Sequence, residues 1–163
     1  MKVRGYAVKY GDNIDTDVII PGRYLGITDP KELGRHAMEG LDPEFPSKIK
    51  RTGILVAGVN FGCGSSREEA PLALKYSGVK CIIAKSFARI FFRNAINVGL
   101  PIVVCPEAVE KVEEGDELTI DLAEGTIVNE SKGEKYRVVP LPKFILDILR
   151  DGGLISHLRR KGL

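Results

Sequence analysis

The chain has 163 residues, of which 44% are hydrophobic and 28% charged, with a formal net charge of +2 at pH 7. That length suits one domain, residues 1–163, with room for a sizeable core, and the composition excludes a disordered or fibrous chain while the charge says little about partners. No apolar run reaches the roughly 18 residues of a membrane span, and Met1-Lys2-Val3-Arg4 enters a strand pattern directly with no signal-peptide core, so the expected location is cytoplasmic.

Lys2 to Lys9 alternates Val3, Gly5 and Ala7 against Lys2, Arg4, Tyr6 and Val8, the period of a strand. The loop Gly11-Asp12-Asn13-Ile14-Asp15-Thr16-Asp17 then gathers three carboxylates and an amide. It has the look of an oxygen-ligand loop for a hard cation, yet it lacks the glycine at the sixth position and the closing bidentate glutamate of a calcium loop. The other reading is a series of Asx turns that satisfy backbone groups.

Beyond Val18-Ile19-Ile20-Pro21-Gly22 and Arg23 to Thr28, either Thr28 or Asp29 caps a short helix, with Pro30 at its first position and Lys31 to Met38 as its body. His36 on it reads as a surface residue, because no second ligand stands at helical spacing. Asp42 to Gly53 reads as a proline-punctuated connection with solvated Lys48, Lys50 and Arg51.

Ile54 to Val59 is an apolar run cut off by glycines, the pattern of a buried strand. It enters Asn60-Phe61-Gly62-Cys63-Gly64-Ser65-Ser66-Arg67-Glu68, a strand-to-helix turn. Gly62 and Gly64 permit positive φ and close approach of another molecule to the backbone, the serines offer hydroxyls and N–H groups, and Arg67 is a planar cation suited to a carboxylate. Together they describe an anion pocket containing a potential acid or base. A structural reading stands beside it: Ser65 with Glu68, and Ser66 with Glu69, have capping-box spacing ahead of the Ala70 to Tyr76 helix. Pro71 cannot donate a helical hydrogen bond, so either regular helix starts near it or the first turn is loose.

Val79 to Ala84, Ser86 to Val98 and Pro101 to Cys105 read as strand, helix and strand, which completes an alternation of parallel strands with crossover helices. In that helix Arg89, Arg93 and Asn97 form one polar stripe while Phe87, Phe91 and Phe92 face elsewhere. Basic residues among aromatics can mark a nucleic-acid surface, but the balanced charge favours an ordinary amphipathic helix and no nucleic-acid partner. Glu117 to Asp121, Thr126 to Val128 and Lys135 to Val139 read as short strands of antiparallel hairpins. Helices from Pro142 to Leu149 and Leu154 to Arg160 close the chain. The fold class is therefore α/β, with a central partly parallel sheet flanked by helices and additional antiparallel hairpins.

Cys63, Cys81 and Cys105 have no metal or cluster spacing. Cys81 and Cys105 sit in apolar strands and read as buried thiols, whereas Cys63, inside the glycine turn, is a candidate thiol with no histidine near it in sequence.

Four ordered stretches, Gly11 to Asp17, Ile19 to Leu25, Asn60 to Glu68 and Lys85 to Asn94, resemble the small subunits of isopropylmalate isomerase, the detached swivelling domain of the aconitase superfamily. The resemblance covers essentially the whole chain. It implies a swivelling β/β/α domain that closes over a large subunit bearing a [4Fe-4S] cluster, with no metal held by this chain, a small dicarboxylate as substrate, and the active site at the interface. It also implies that Ser65 is the base acting on a carbon-bound proton, that Gly64, Ser66 and Arg67 bind substrate, and that Asp17 pairs with a histidine of the partner.

Homoaconitase small subunits resemble the sequence too, but carry an arginine directly after the Tyr-Leu that stands here at Tyr24-Leu25. Gly26 and Ile27 follow here, which suits an uncharged isopropyl group better than an extra carboxylate. The loop leaves open a homoaconitase or dual-specificity enzyme. A phosphate-binding module would use the same strand, turn and helix, but Gly-x-Gly-x-x-Gly and Gly-Lys-Ser/Thr are missing. A purely structural interaction domain would use the serines as caps. Apolar surface around the turn would need covering, by the large subunit or by self-association of the isolated chain.

Overall fold

In the computed structural model, which describes residues 1–163, the chain opens with β1 (Lys2–Lys9) and crosses three short helices, α1 (Thr16–Ile19), α2 (Pro30–Gly34) and α3 (Phe45–Thr52). Three strand–helix pairs follow: β2 (Gly53–Ala57) with α4 (Glu69–Ser77), β3 (Cys81–Ala84) with α5 (Arg89–Asn97), and β4 (Ile102–Val104) with α6 (Pro106–Lys111). Strands β5 (Glu117–Asp121), β6 (Thr126–Asn129) and β7 (Glu134–Arg137) and helices α7 (Lys143–Arg150) and α8 (Leu154–Arg160) complete it.

All seven strands form one sheet in the order β4-β3-β2-β1-β5-β6-β7. The first four are parallel, with Ala7 opposite Ile54, Leu55 opposite Ile82 and Ile83 opposite Val103. β1 is the seam: its other edge pairs antiparallel with β5, from Lys2 opposite Asp121 to Tyr6 opposite Glu117, and β6 and β7 extend that half. Every residue of β2 and β3 is buried, so their sequences are unbroken apolar runs, as strands covered on both faces require. β5 and β6 instead alternate buried with part-exposed or exposed positions, the signature of one covered face. No helix is long and apolar enough to cross a membrane.

Two helices, α1 and α3, lie where the sequence suggested loop, and α6 fills a stretch to which the sequence assigned no element. α3 falls inside the expected proline-punctuated connection. Pro46 occupies its first turn, where a missing N–H costs nothing, and Phe45 and Ile49, four residues apart, are both fully buried. Gly53, at φ +86°, ends it in the left-handed conformation. α6 starts at Pro106 in the same way and buries Ala108 and Val109. α1 replaces the second half of the acidic loop, with the Asp15 side chain accepting from the Val18 N–H at 2.8 Å as its cap.

β1, β2 and β3 run parallel, so the segments that leave their carboxyl ends emerge at the same end of the sheet, the usual place for a site in an open α/β sheet. Backbone hydrogen bonds from Gly58 N to Gly11 O (3.0 Å), Asn13 N to Val59 O (2.8 Å) and Lys85 N to Gly58 O (3.1 Å) lace them together.

Candidate active site

The glycine turn is clamped from both sides. From the acidic loop, the Ile14 carbonyl accepts from Gly62 N at 2.8 Å, Thr16 N donates to the Cys63 carbonyl at 2.8 Å, and Thr16 Oγ1 donates to the Ser65 carbonyl at 2.8 Å. From the segment after β3, Ser86 accepts from Phe61 N at 3.0 Å through its carbonyl and from Asn60 N at 2.8 Å through its hydroxyl. Phe61, 1% exposed, wedges its ring edge-on against Phe87 and Phe91, at centroid distances of 5.9 and 5.2 Å. A methyl built on Gly62, which has φ +81°, would lie 2.2 Å from the Phe91 ring, so only glycine fits where the turn crosses α5.

These contacts decide between the two readings of the acidic loop. Asp15 caps α1 through the local bond expected of a turn-forming aspartate, whereas Asp12 Oδ1 accepts from Val59 N at 2.9 Å across the fold, so both carboxylates satisfy backbone N–H groups. No three His, Cys, Asp or Glu side chains converge anywhere in the chain.

What the clamp presents is Gly64, Ser65 and Ser66, all exposed. α4 begins at Glu69 with Glu68 at its N-cap and no side chain bonded to its first-turn N–H groups. The capping-box reading therefore fails: the helix starts three to four residues past the serines, which leaves both hydroxyls without a structural role. Arg67 folds back instead, its Nη1 donating to the Ile20 carbonyl at 3.1 Å and to Asp17 Oδ1 at 3.3 Å. Ser65, Ser66 and Arg67 line a cleft of about 210 Å3 whose lining also includes Arg89, Phe91 and Asn94 from α5, and no carboxylate lines it. Asp17, Gly64, Ser65, Ser66 and Arg67 are thus brought together at one end of the sheet.

Gly26 and Ile27 are not part of that lining. They follow a 3-10 turn at Gly22–Tyr24, with Gly26 exposed and Ile27 half-buried against the core. The start of their loop does adjoin the site, since a methyl on Gly22 would lie 4.0 Å from Arg67 Nη2. An unforeseen cluster anchors this loop. Tyr24 stacks on His36 at 3.9 Å, the Tyr24 hydroxyl donates to Glu39, and His36 Nδ1 lies 2.8 Å from the same carboxylate. Glu39 is held below the usual carboxylate range, chiefly by the Tyr24 hydroxyl and then by His36. His36 is therefore a half-buried anchor rather than the surface residue expected. Thr16 and Arg89 also line the cleft without a sequence signal for it; Thr16 stands in the acidic stretch Gly11 to Asp17 and reads there only as loop.

Two thiols are structural, as the sequence suggested: Cys81 and Cys105 are buried, and desolvation pushes both thiols up. Cys63 is only partly buried. A larger cavity of about 380 Å3 between β4 and the segment leading to α7 is lined by Phe92, Val104, Leu122, Val139 and Ile145 among other apolar side chains, and it offers no group for chemistry.

Comparison with known proteins adds to this geometry. The family description "Aconitase C-terminal domain" matches residues 38–107, a stretch that takes in the serine turn and the cleft wall of α5. The 3-isopropylmalate dehydratase small subunit of Caldanaerobacter subterraneus is 60% identical over 98% of this chain and 99% of its own length. That of Aquifex aeolicus is 57% identical, covering 99% of this chain and 96% of its own. The crystal structure of 3-isopropylmalate dehydratase from Methanocaldococcus jannaschii superposes with a TM-score of 0.92 at 48% identity, over 99% of this chain and 96% of that one. The chain belongs to the family of 3-isopropylmalate dehydratase small subunits. The α/β architecture expected from the sequence is the fold of that family, and the serine turn, the Arg67 anchor and the carboxylate-free cleft are the features this member sets at the carboxyl ends of its parallel strands.

Proposed function

We propose that the chain is the small subunit of a two-chain hydro-lyase that interconverts 2-isopropylmalate and 3-isopropylmalate through isopropylmaleate. The observation that carries this reading, alongside the relatives' names, is the pair of unpartnered serine hydroxyls beside Arg67 in a cleft without carboxylates. At about 210 Å3 the cleft is smaller than the roughly 300–1,000 Å3 of a whole ligand site. This supports a site shared with a second chain, the large subunit.

Ser65 is the base. Its oxygen removes a proton from one substrate carbon while hydroxide leaves the neighbouring carbon; addition of water in the opposite sense returns the hydroxyl to the other carbon. A serine hydroxyl is intrinsically too weak a base for this, so it acts as an alkoxide stabilised by N–H groups of the turn and by the guanidinium nearby. Arg67 grips a substrate carboxylate through two parallel hydrogen bonds, with Ser66 and the exposed backbone of Gly64 beside it. Asp17, exposed next to Arg67, orients a histidine of the large subunit. A [4Fe-4S] cluster on that subunit supplies Lewis acidity toward the leaving hydroxyl. Gly26 and Ile27 face the substrate side chain once the two subunits close, and offer it no charge.

The test is an anaerobic assay of this chain with its reconstituted large subunit, following hydration of isopropylmaleate and homoaconitate side by side. Hydration of isopropylmaleate in strong preference is the expected result. Equal turnover of both would keep the chemistry and remove the assignment of Gly26 and Ile27 as an apolar selector. Turnover of neither, with an active large subunit, would overturn the reading.

A further inference from the structure

The cleft is lined by two cations from different elements, the serine turn and α5, and the proposed chemistry uses only one of them. Arg67 rises from the serine turn and is tied back to the Ile20 carbonyl and Asp17. Arg89 faces the same space from the first position of α5 and makes neither an ion pair nor a hydrogen bond within the chain. Of the two cleft-lining guanidiniums, it alone has no partner within the chain. Asp17 balances Arg67 from outside the lining, and no carboxylate lines the cleft to balance Arg89.

The backbone beneath Arg89 points the same way. α5 is nine residues long, its N-cap is Ala88, and no side chain caps it. The N–H groups of Arg89, Ile90 and Phe91 have no acceptor in the chain, because Ala88 N is taken by the Phe61 carbonyl at 2.9 Å and the helical ladder begins with Phe92 N to Ala88 O at 3.0 Å. Ala88 to Phe91 all line the cleft. A guanidinium at a helix start with unfilled N–H groups, sharing one cleft with a second guanidinium, suits a molecule carrying two anionic groups.

We infer that Arg89 binds the second carboxylate of the substrate, in the cleft it shares with Arg67. This rests on the reading of the substrate as a small dicarboxylate and deepens it, since Ser65 then works on carbons held between two fixed ends. Such two-point attachment sets the orientation of the reacting carbon, which a single carboxylate grip leaves free to rotate.

The experiment uses the assembled two-subunit enzyme with Arg89→Gln, Arg89→Lys and, as a control, Arg93→Gln, an exposed position one turn along that does not line the cleft. Hydrogen bonds to charged groups predict a KM for 2-isopropylmalate raised about 10- to 100-fold in Arg89→Gln, with kcat changed far less. Arg89→Lys recovers part of the loss and Arg93→Gln none is lost. Inhibition by a monocarboxylate 2-hydroxy acid of the same branching is unchanged by Arg89→Gln, because the group Arg89 holds is missing from it. A KM within about twofold of wild type would overturn the inference, as would failure of Arg89→Gln to co-elute with the large subunit, which would assign Arg89 to the subunit interface. Wild-type enzyme inactive on 2-isopropylmalate would reject the functional reading itself, and this inference with it.

Discussion

One nitrogen of Arg67 serves two acceptors of different character, the Ile20 carbonyl at 3.1 Å and the Asp17 carboxylate at 3.3 Å. The Arg67 side chain is 20% exposed and that of Asp17 is 72% exposed. The backbone carbonyl fixes where the cation stands. The carboxylate, in water, contributes little and is free to exchange for another anion or another partner, since exposed pairs are worth about 0–1 kcal/mol. Asp17→Asn should therefore shift chemical denaturation by less than about 1 kcal/mol. If Asp17 orients a histidine of the large subunit, the same variant lowers turnover of the complex about 10- to 100-fold, as losses of such supporting groups do.

The two glycines of the turn should respond differently to the same methyl. At Gly62, with φ +81°, the new carbon lies 2.2 to 2.5 Å from Phe91 side-chain atoms, and Phe91 is packed against Phe61. Left-handed strain and overpacking together predict a loss of about 2–5 kcal/mol for Gly62→Ala. At Gly64, with φ +95°, the nearest atoms are 3.4 Å away, so strain alone remains, about 1–2 kcal/mol. Urea unfolding of the two variants measures the difference, and equal losses would contradict the packing assigned to Phe91.

This pair also shows how far the sequence could be read. The need for glycine was legible from the strand–turn–helix pattern, and so were β2, β3 and the alternation that makes the strands parallel. The partner that crowds Gly62 was not, because Phe91 meets it only after a crossover. Both serines carry capping-box spacing, and only the observed helix start at Glu69 removes that role. α3 was hidden by Pro43 just before it and Pro46 in its first turn, where a helix tolerates proline, while its buried pair Phe45 and Ile49 is too short a pattern to stand out. The Tyr24, His36 and Glu39 anchor joins residues up to 15 positions apart through side chains alone, so no periodicity announces it.

Gly26 is open on all sides: a methyl there meets nothing within 4 Å. Gly26→Arg should fold as the parent does. It should raise the preference of the assembled enzyme for homoaconitate over isopropylmaleate about 10-fold or more through a new charged hydrogen bond. Competition kinetics with both substrates reads that ratio; an unchanged ratio would show that the loop stays away from the substrate.

Asp42 gives the fold an acid-sensitive joint. Its carboxylate accepts from the Tyr10 hydroxyl at 2.7 Å and Lys48 Nζ at 2.9 Å, and is held below the usual range first by Tyr10 and then by Lys48. A carboxyl depressed in the folded state stabilises above its unfolded value of about 3.9, and that contribution is lost as pH falls through the folded value. Stability should therefore decline as pH drops below about 4. Asp42→Asn should be less stable near neutrality and show a shallower decline on the acid side, measured by denaturant midpoints across pH.

The central claim is that Ser65 is a chemical group and not a helix cap. The measurement that tests it most directly is Ser65→Ala in the assembled enzyme, read for turnover, complex formation and thermal midpoint together. Removal of a proton-transfer group predicts turnover reduced about 100- to 10,000-fold with assembly and midpoint unchanged. Near-normal turnover, or a loss of activity fully matched by a loss of stability, would contradict it.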